Sequence, residues 1–506
     1  MRVERFLQES AAAAPERVAV TAGEMRLAYG ALDDKSDRLA GALVRRGVKP
    51  GDRVVIFMEN IWEMTVAIFG VLKAGAVFCP VNPSLKEEGL RFVLGDCRPS
   101  AVVTQARYVQ LCEAASREAS LAPIVIAAGA KATTAIAFDD CLAEEPGQLP
   151  EGSDDALAMI IYTSGSTGIA KGVMMTHANI DAASRSIATY LENTAEDVIL
   201  GVLPLSFTYG LYQLLVAIRV GARLVLQRNF AFPHAVLATA RAEGVTGLPL
   251  VPTMAAMLLS MKDDAPLPAL RYISNAAAPL PAAHVAGLRD RFPLARIYLM
   301  YGLSECARAT FLPPEEVDRR PGSVGKAIPG TEVLVVDEAG RSLPPGAVGE
   351  LVVVGPHVMR GYWENPVATA AALRPGPGSG DPRLHTGDLF SADADGFLFF
   401  AGRKDDIVKV RGEKVALAQI EAALHGCPGV AEAVVVGEPD PLLGTALRAV
   451  VVLSDQAVTE RTILRYCADN LPEAMVPKTI EIRPQLPLTA SGKVNRRLVV
   501  ETREKI

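Results

Sequence analysis

Short, almost purely apolar runs alternate with amphipathic stretches from residue 32 to residue 299, and this rhythm restricts the fold more than any other feature. Leu32, Leu39 and Leu43 fall on one helical face, with Gly47 placed to cap its C-terminus. RVVIF at 53–57 has the pattern of a buried strand. Ile61, Met64, Ile68 and Val71 then form a helical stripe that stops at Gly75, and residues 76–80 read as the next strand. Strand–helix–strand order with short links predicts a largely parallel, doubly wound α/β layer. The rhythm returns between residues 198 and 299, where GVLPL, RLVLQ, GVTGLPLVP, LRYISN and RIYLM are strand-like.

The pattern changes after Gly322. Residues 332–336, 350–354 and 397–400 are strand-like and separated by Gly/Pro turns, which predicts a small, mainly β unit. PGPGSGDP at 375–382 reads as an exposed loop. From Val415 to Ile482 helix and strand alternate again in a densely charged segment. A boundary at residues 403–405 divides the chain into a domain of residues 1–404 and one of residues 405–506. A length of 506 residues fits two to four packed units.

Charge and cysteine content exclude several classes. With 51 basic against 57 acidic residues the net charge is -6, the wrong sign for a surface that neutralises nucleic-acid phosphates. Residues 405–506 carry 13 basic and 14 acidic residues, so the tail is no basic arm. The 7 cysteines are widely spaced and form no CxxC, which predicts reduced thiols rather than a disulfide frame. The 6 histidines lack zinc-ligand spacing. The N-terminal residues carry Arg2, Glu4 and Arg5 and no sustained apolar core, unlike a signal peptide. Glu63 and Lys73 interrupt the most apolar stretch, residues 61–81, so no membrane span is expected. These features predict a soluble, cytoplasmic protein.

Chemistry enters at residues 160–176, IIYTSGSTGIAKGVMMT. An apolar strand runs into Thr163, Ser164, Gly165, Ser166, Thr167 and Gly168, and Lys171 follows before a second strand-like run. Hydroxyls and glycine-exposed N–H groups make a concave donor surface suited to phosphate oxygens, and Lys171 adds a mobile positive charge. The GxxxxGK[ST] spacing of a Walker loop is absent, and a strand rather than a helix is expected next.

Four further stretches follow in order: YGLSE at 301–305, HTGD at 385–388, GRKDDIVK at 402–409 and PLTASGK at 487–493. The five together resemble, over essentially the whole chain, the motif series of the adenylate-forming (ANL) superfamily. That group includes acyl-CoA synthetases, aryl-CoA ligases, peptide-synthetase adenylation domains and luciferases. The resemblance implies an α/β fold: a large N-terminal domain of doubly wound α/β subdomains plus a small β subdomain, and a small mobile α+β C-terminal domain. It also implies the reaction. A carboxylate attacks the α-phosphorus of ATP, pyrophosphate leaves, and the acyl-AMP passes its acyl group to a thiol. Two anions must meet, so positive charge and Mg2+ are required.

Site roles come from the same resemblance. Glu305 would hold Mg2+ as a hard oxygen ligand. Ser304 would bond the α-phosphate, Tyr301 with Gly302 would lie near the adenine, and Ala276–Ala278 would let the base approach the backbone. Asp388 would accept the ribose hydroxyls, with Arg403 also near the nucleotide. Lys493 sits in a Thr-Ala-Ser-Gly turn and would stabilise transition-state charge, whereas a lysine near Arg496 and Arg497 is ordinarily part of a solvated basic face. Asp405 matches the hinge, and Lys409 and Gly412 match the strand edge along which pantetheine passes. Ala170 and Ser304 replace the usual proline and threonine without changing the chemistry. Leu417 and Gln419 stand where relatives often have proline and glutamate, which bears on thiol delivery.

LPLSFTYG at 203–210 resembles the acid-pocket segment. Amino-acid-activating relatives carry an aspartate where this chain has Thr208, so an α-amino acid is disfavoured. Phe207 adds an apolar wall, and Tyr209 and Asn275 are candidate polar groups, which predicts an uncharged-tail acid, fatty or aromatic. The acceptor is CoA or, alternatively, the phosphopantetheine of an acyl carrier protein, since both present the same thiol arm. A nucleotide-binding protein without catalysis is a further reading; the presence of Lys171, Glu305, Asp388 and Lys493 together weighs against it.

Overall fold

The computed structural model describes all residues except 130–133, 148–149, 165–169, 262–265, 377–381, 411–412, 441–443, 456, 489–493 and 503–506. Contacts group the chain into two compact units. The first comprises Met1–Arg319, Ala327–Glu332 and Val353–Leu384; the second comprises Arg320–Lys326, Val333–Val352 and His385–Ile506.

Two sheets build the first unit. One runs, in spatial order, Thr310–Leu312, Arg296–Tyr301, Tyr272–Asn275, Gly247–Leu250, Val198–Gly201, Arg223–Leu226, Val18–Ala22 and Met25–Ala28. Its inner strands pair in parallel. From Val198–Gly201 the chain steps to Arg223–Leu226 on one side, then returns to Gly247–Leu250 on the other. That reversal is a topological switch point, and open α/β sheets bind ligands beyond the carboxyl ends of strands at such points. The segment leaving Gly201 there is LPLSFTYG. The expected GVLPL strand is displaced: the strand is Val198–Gly201 and ends where GVLPL begins. Beyond it the Asn60 side chain donates to Leu203 O at 2.9 Å and accepts from Leu205 N at 2.9 Å, so these backbone groups leave the ladder.

The other sheet runs Gly361–Tyr362, Ala170–Thr176, Leu157–Ser164, Val77–Pro80, Arg53–Phe57, Ala101–Gln105, Ile124–Ala128 and Ile136–Ala137. Strand–helix–strand order is as the apolar pattern predicts, with helix Tyr29–Arg45 burying Leu32, Leu39 and Leu43. Gly47 follows at φ +93°, the left-handed conformation in which a glycine ends a helix. In helix Trp62–Lys73 every residue from Met64 onward is buried, Lys73 included. The Lys73 ammonium lies 2.6 Å from Asp33 Oδ1 and 2.7 Å from Asp37 Oδ1, both on helix Tyr29–Arg45. The charge that interrupts the apolar stretch is therefore buried with two carboxylates, without which burial would be prohibitive.

In the second unit, strands Glu332–Val336, Gly349–Val354, Pro382–Ala392, Leu398–Arg403 and Ser323–Ala327 form a small sheet in that order. Further along, Val430–Asp440 and Gly444–Leu453 pair antiparallel, and Thr479–Ile482 adds in parallel after the crossover helix Glu460–Asn470. Ile420, Leu424, Val435, Ala449, Val451 and Ile463 form its core. The overall class is mixed α/β, as expected. No helix among the described residues is long and apolar enough to cross a membrane.

His177 and His357 are both about 2% exposed, and burial holds both rings down to about 4 from the usual 6.5. His177 Nδ1 accepts from Val3 N at 3.1 Å, which requires the unprotonated nitrogen. Between pH 6.5 and 4 the unfolded chain binds more protons at these sites than the folded one. Their stabilisation is therefore complete above pH 6.5 and is lost as pH falls. From pH 7 to 5 each should remove about 2 kcal/mol, read as a lower urea midpoint. His177→Asn, which keeps an acceptor but cannot titrate, should remove about half of that drop.

Candidate active site

Strands Leu157–Ser164 and Ala170–Thr176 form an antiparallel hairpin, with Thr163 opposite Lys171 and Ser164 opposite Ala170. A strand does follow the hydroxyl-rich loop. Gly165, Ser166, Thr167 and Gly168, and the side chain of Ser164, lie outside the described residues. Lys171 Nζ lies 5.2 Å from the centroid of the Tyr362 ring, a cation–π contact. The Tyr362 hydroxyl in turn donates to Glu305 Oε1 at 2.7 Å. One tyrosine thus joins the loop lysine to the carboxylate of YGLSE. Nothing in the sequence motifs singles it out.

Close backbone approach creates this linkage. Gly361–Tyr362 pairs with the hairpin at Met174 and Val173, and Trp363 N donates to Gly172 O at 2.7 Å. A Cβ on Gly172 would stand 2.8 Å from Ile160 Cγ2 and 3.2 Å from Trp363 Cβ, so the strands could not come so near. Met359 N donates to Glu305 O at 2.7 Å, fixing the backbone of the carboxylate as well.

Strand Arg296–Tyr301 ends in a tight turn that presents Ser304 and Glu305. Gly302 is required there: its Cβ would lie 2.6 Å from Ala307 O and 2.7 Å from Arg308 Cα. Ala309 N closes the turn on Tyr301 O at 2.9 Å. Ser304 Oγ accepts from Thr208 Oγ1 at 3.2 Å, so the candidate phosphate-contacting hydroxyl meets the candidate acid segment. Thr208 opens helix Thr208–Val220, directly after half-buried Phe207. Tyr209 is buried and donates to Ser274 O at 2.8 Å; burial pushes its phenol up to about 12. Asn275 ends strand Tyr272–Asn275, its Nδ2 3.4 Å from Leu250 O. Ala276 is buried and Ala277 follows, exposed, at φ +75°. A non-glycine residue held in that region is strained, and such strain clusters at functional sites.

In the second unit Asp388 and Arg403 face each other across paired strands, Arg403 Nε 2.9 Å from Asp388 Oδ1. Glu350, absent from the motif series, organises the HTGD turn. It is 6% exposed and meets His385 Nδ1 at 3.0 Å, Gly387 N at 3.1 Å and Lys404 Nζ at 2.8 Å. Burial raises its pKa, but the bonds from Lys404 and His385 outweigh that and hold it below the usual value. An acidic residue opening an apolar strand (GELVVV) is the one sequence signal that could have marked it.

Lys493 and Gly412 lie outside the described residues, as do the side chains of Asp405 and Lys409. Leu488 and Val494 pair on either side of the segment that holds Lys493, and Asn495 N donates to Pro487 O at 2.7 Å. Arg496 is half-buried, bonding Glu421 Oε2 and Val435 O at 2.7 Å each. Leu417 is buried and Gln419 exposed on helix Leu417–His425.

Gly210 gives a direct test of the acid segment, because its Cβ would lie 2.3 Å from Pro204 O and 2.7 Å from Leu203 O, backbone atoms that cannot swing away. Gly210→Ala should destabilise by about 1–3 kcal/mol in urea unfolding. At Gly95, inside helix Glu87–Cys97, the added Cβ meets nothing nearer than 4.0 Å. Gly95→Ala should therefore stabilise by about 0.5–1 kcal/mol.

Fold and motif geometry define an adenylate-forming enzyme. Residues 7–363 match the AMP-binding enzyme family and residues 419–493 its C-terminal domain. The chain belongs to that family, in the acyl-CoA ligase branch of the ANL superfamily. It is 31% identical to a long-chain-fatty-acid–CoA ligase of Escherichia coli, over 100% of this chain and 95% of that protein. It is 33% identical to a feruloyl-CoA synthase of Amycolatopsis, over 95% and 94%. Among solved structures, ATP-bound MatB from Rhodopseudomonas palustris superposes with a TM-score of 0.90 at 28% identity, covering 99% of both chains.

Proposed function

We propose that this enzyme activates a carboxylic acid with ATP and transfers the acyl group to the thiol of CoA. The observation that carries the reading is the linkage of Lys171, Tyr362 and Glu305, which gathers a cation and a hard oxygen ligand beside the hydroxyl-rich loop. The acid's carboxylate oxygen attacks the α-phosphorus, the bond to the pyrophosphate oxygen breaks, and acyl-AMP remains. The thiol then attacks the acyl carbon and AMP leaves. Magnesium fits Glu305 and, when bound with the phosphates, supplies charge neutralisation.

The chain's own residues do the rest. Thr163 to Gly168 cradle phosphate oxygens with Lys171. Ser304 contacts the α-phosphate, Tyr301, Gly302 and Ala276–Ala277 border the adenine, and Asp388 with Arg403 takes the ribose. Lys493 brings its ammonium to the in-line transition state. Residues 405–506 turn about Asp405 to present it, and turn again to admit the thiol arm past Lys409 and Gly412. The acid is fatty or aromatic rather than an α-amino acid, since Thr208 leaves no carboxylate for an ammonium. CoA is the acceptor favoured here because the named relatives are CoA ligases.

Lys493→Ala should slow acid-dependent ATP–pyrophosphate exchange about 100-fold or more, the scale of losing one preorganised donor. Thiol transfer from supplied acyl-AMP should change little; unimpaired exchange would remove the lysine from the mechanism. Tyr362→Phe keeps the ring under Lys171 but deletes the bond to Glu305. It should lower kcat/KM about tenfold, the worth of a hydrogen bond to a charged group, and raise the magnesium needed for half-maximal rate. Acyl-AMP that accumulates with CoA but clears with a holo carrier protein would transfer the second step to a carrier.

A further inference from the structure

Arg308 lies three residues beyond Glu305 and is 3% exposed. Its Nη1 donates to Ala307 O at 2.6 Å, while Nε is buried with no partner among the described residues. The guanidinium stacks 4.5 Å from the centroid of the Tyr209 ring, in the segment proposed to line the acid site. No described carboxylate is paired with it, and Glu305 is bonded instead to Tyr362.

Among the described residues, nothing around Arg308 can serve as its counter-ion. Tyr190, which also hydrogen-bonds the guanidinium, Tyr209 and Tyr212 feel its charge, but burial raises all three phenols and keeps them neutral. The Tyr190 hydroxyl donates to Met300 Sδ at 2.9 Å. Tyr212 is 1% exposed and its hydroxyl has no partner among the described residues. A cation–π contact recovers only a small part of the cost of burying an unpaired charge. Two unsatisfied donors, one of them charged, within one buried group of tyrosines point to a guest that brings oxygen acceptors.

We propose that Arg308, assisted by the Tyr212 hydroxyl, receives a second carboxylate of the acid, so that the preferred substrates are dicarboxylic acids. The inference rests on the adenylation reading above. There the reacting carboxylate already has its cations in Lys171, Lys493 and magnesium, so the anion that Arg308 lacks comes from the far end of the acid. It revises the expectation of an uncharged tail while leaving an apolar middle, aliphatic or aromatic, against Phe207. Arg308 is bidentate-capable and always charged, which suits a planar carboxylate better than a hydroxyl or carbonyl.

ATP–pyrophosphate exchange is measured for the full-length enzyme with chain-matched acids: butyrate and succinate, hexanoate and adipate, octanoate and suberate, decanoate and sebacate, benzoate and terephthalate. In at least one pair the dicarboxylate should exceed its partner at least tenfold in kcat/KM. Arg308→Met should abolish or invert that preference, chiefly through KM, and Arg308→Lys should retain part of it. Retained ATP binding by both variants checks the fold. Should Arg308→Met not fold, the wild-type preference and Arg308→Lys still decide. Preference for the monocarboxylate in every pair, or a dicarboxylate preference that survives Arg308→Met, would overturn the inference while leaving adenylation intact. Exchange with no acid at all would overturn the adenylation reading, and this inference with it.

Discussion

The site depends on one stitch of backbone hydrogen bonds. Strand Ala170–Thr176, which leaves the hydroxyl-rich loop, accepts the two-residue strand Gly361–Tyr362 along its free edge. That pairing brings a tyrosine from far along the chain under Lys171 and against Glu305. Two glycines permit it. Gly172 has no side chain to hold Ile160 and Trp363 away, and Gly361 takes φ +147°, which few other residues adopt. Backbone contact therefore sets the spacing of the charged groups, a more rigid device than contact between flexible side-chain ends.

The second unit uses a buried carboxylate in a comparable way. Glu350 gathers His385, the Gly387 N–H and Lys404 around one anion, and so ties the HTGD turn to the residue preceding the hinge motif's Asp405. Asp388 is held opposite Arg403. A carboxylate offers about four acceptor sites, so pairing with arginine and reception of a ribose diol are compatible demands on it. Each turn is placed by a charge that would be costly to bury alone.

Much of this was legible in the sequence. The apolar runs located the inner strands, the glycines at 47 and 75 ended their helices, and the strand after the hydroxyl-rich loop was expected. Where the structure departs from the sequence pattern, a side chain from elsewhere intervenes. Asn60 captured the backbone of residues 203 and 205 and ended a strand early. Tyr362, Glu350 and Arg308 are each significant only through their neighbours in space. A tyrosine and an arginine outside the known motifs carry no local signal, and the glutamate carries only its place at the head of an apolar strand.

The order of motifs, the periodicity of helix and strand and the absence of a basic excess were settled by the sequence, because they are local or additive properties of residues. Tertiary structure alone decided which charges are partnered. Lys73, equally out of place in its apolar stretch, finds two aspartates, whereas Arg308, among the described residues, meets a backbone carbonyl and tyrosines that burial keeps neutral. Residues far apart in the chain supply or withhold the counter-ion, and the energy of a buried charge depends on that supply rather than on its sequence neighbours.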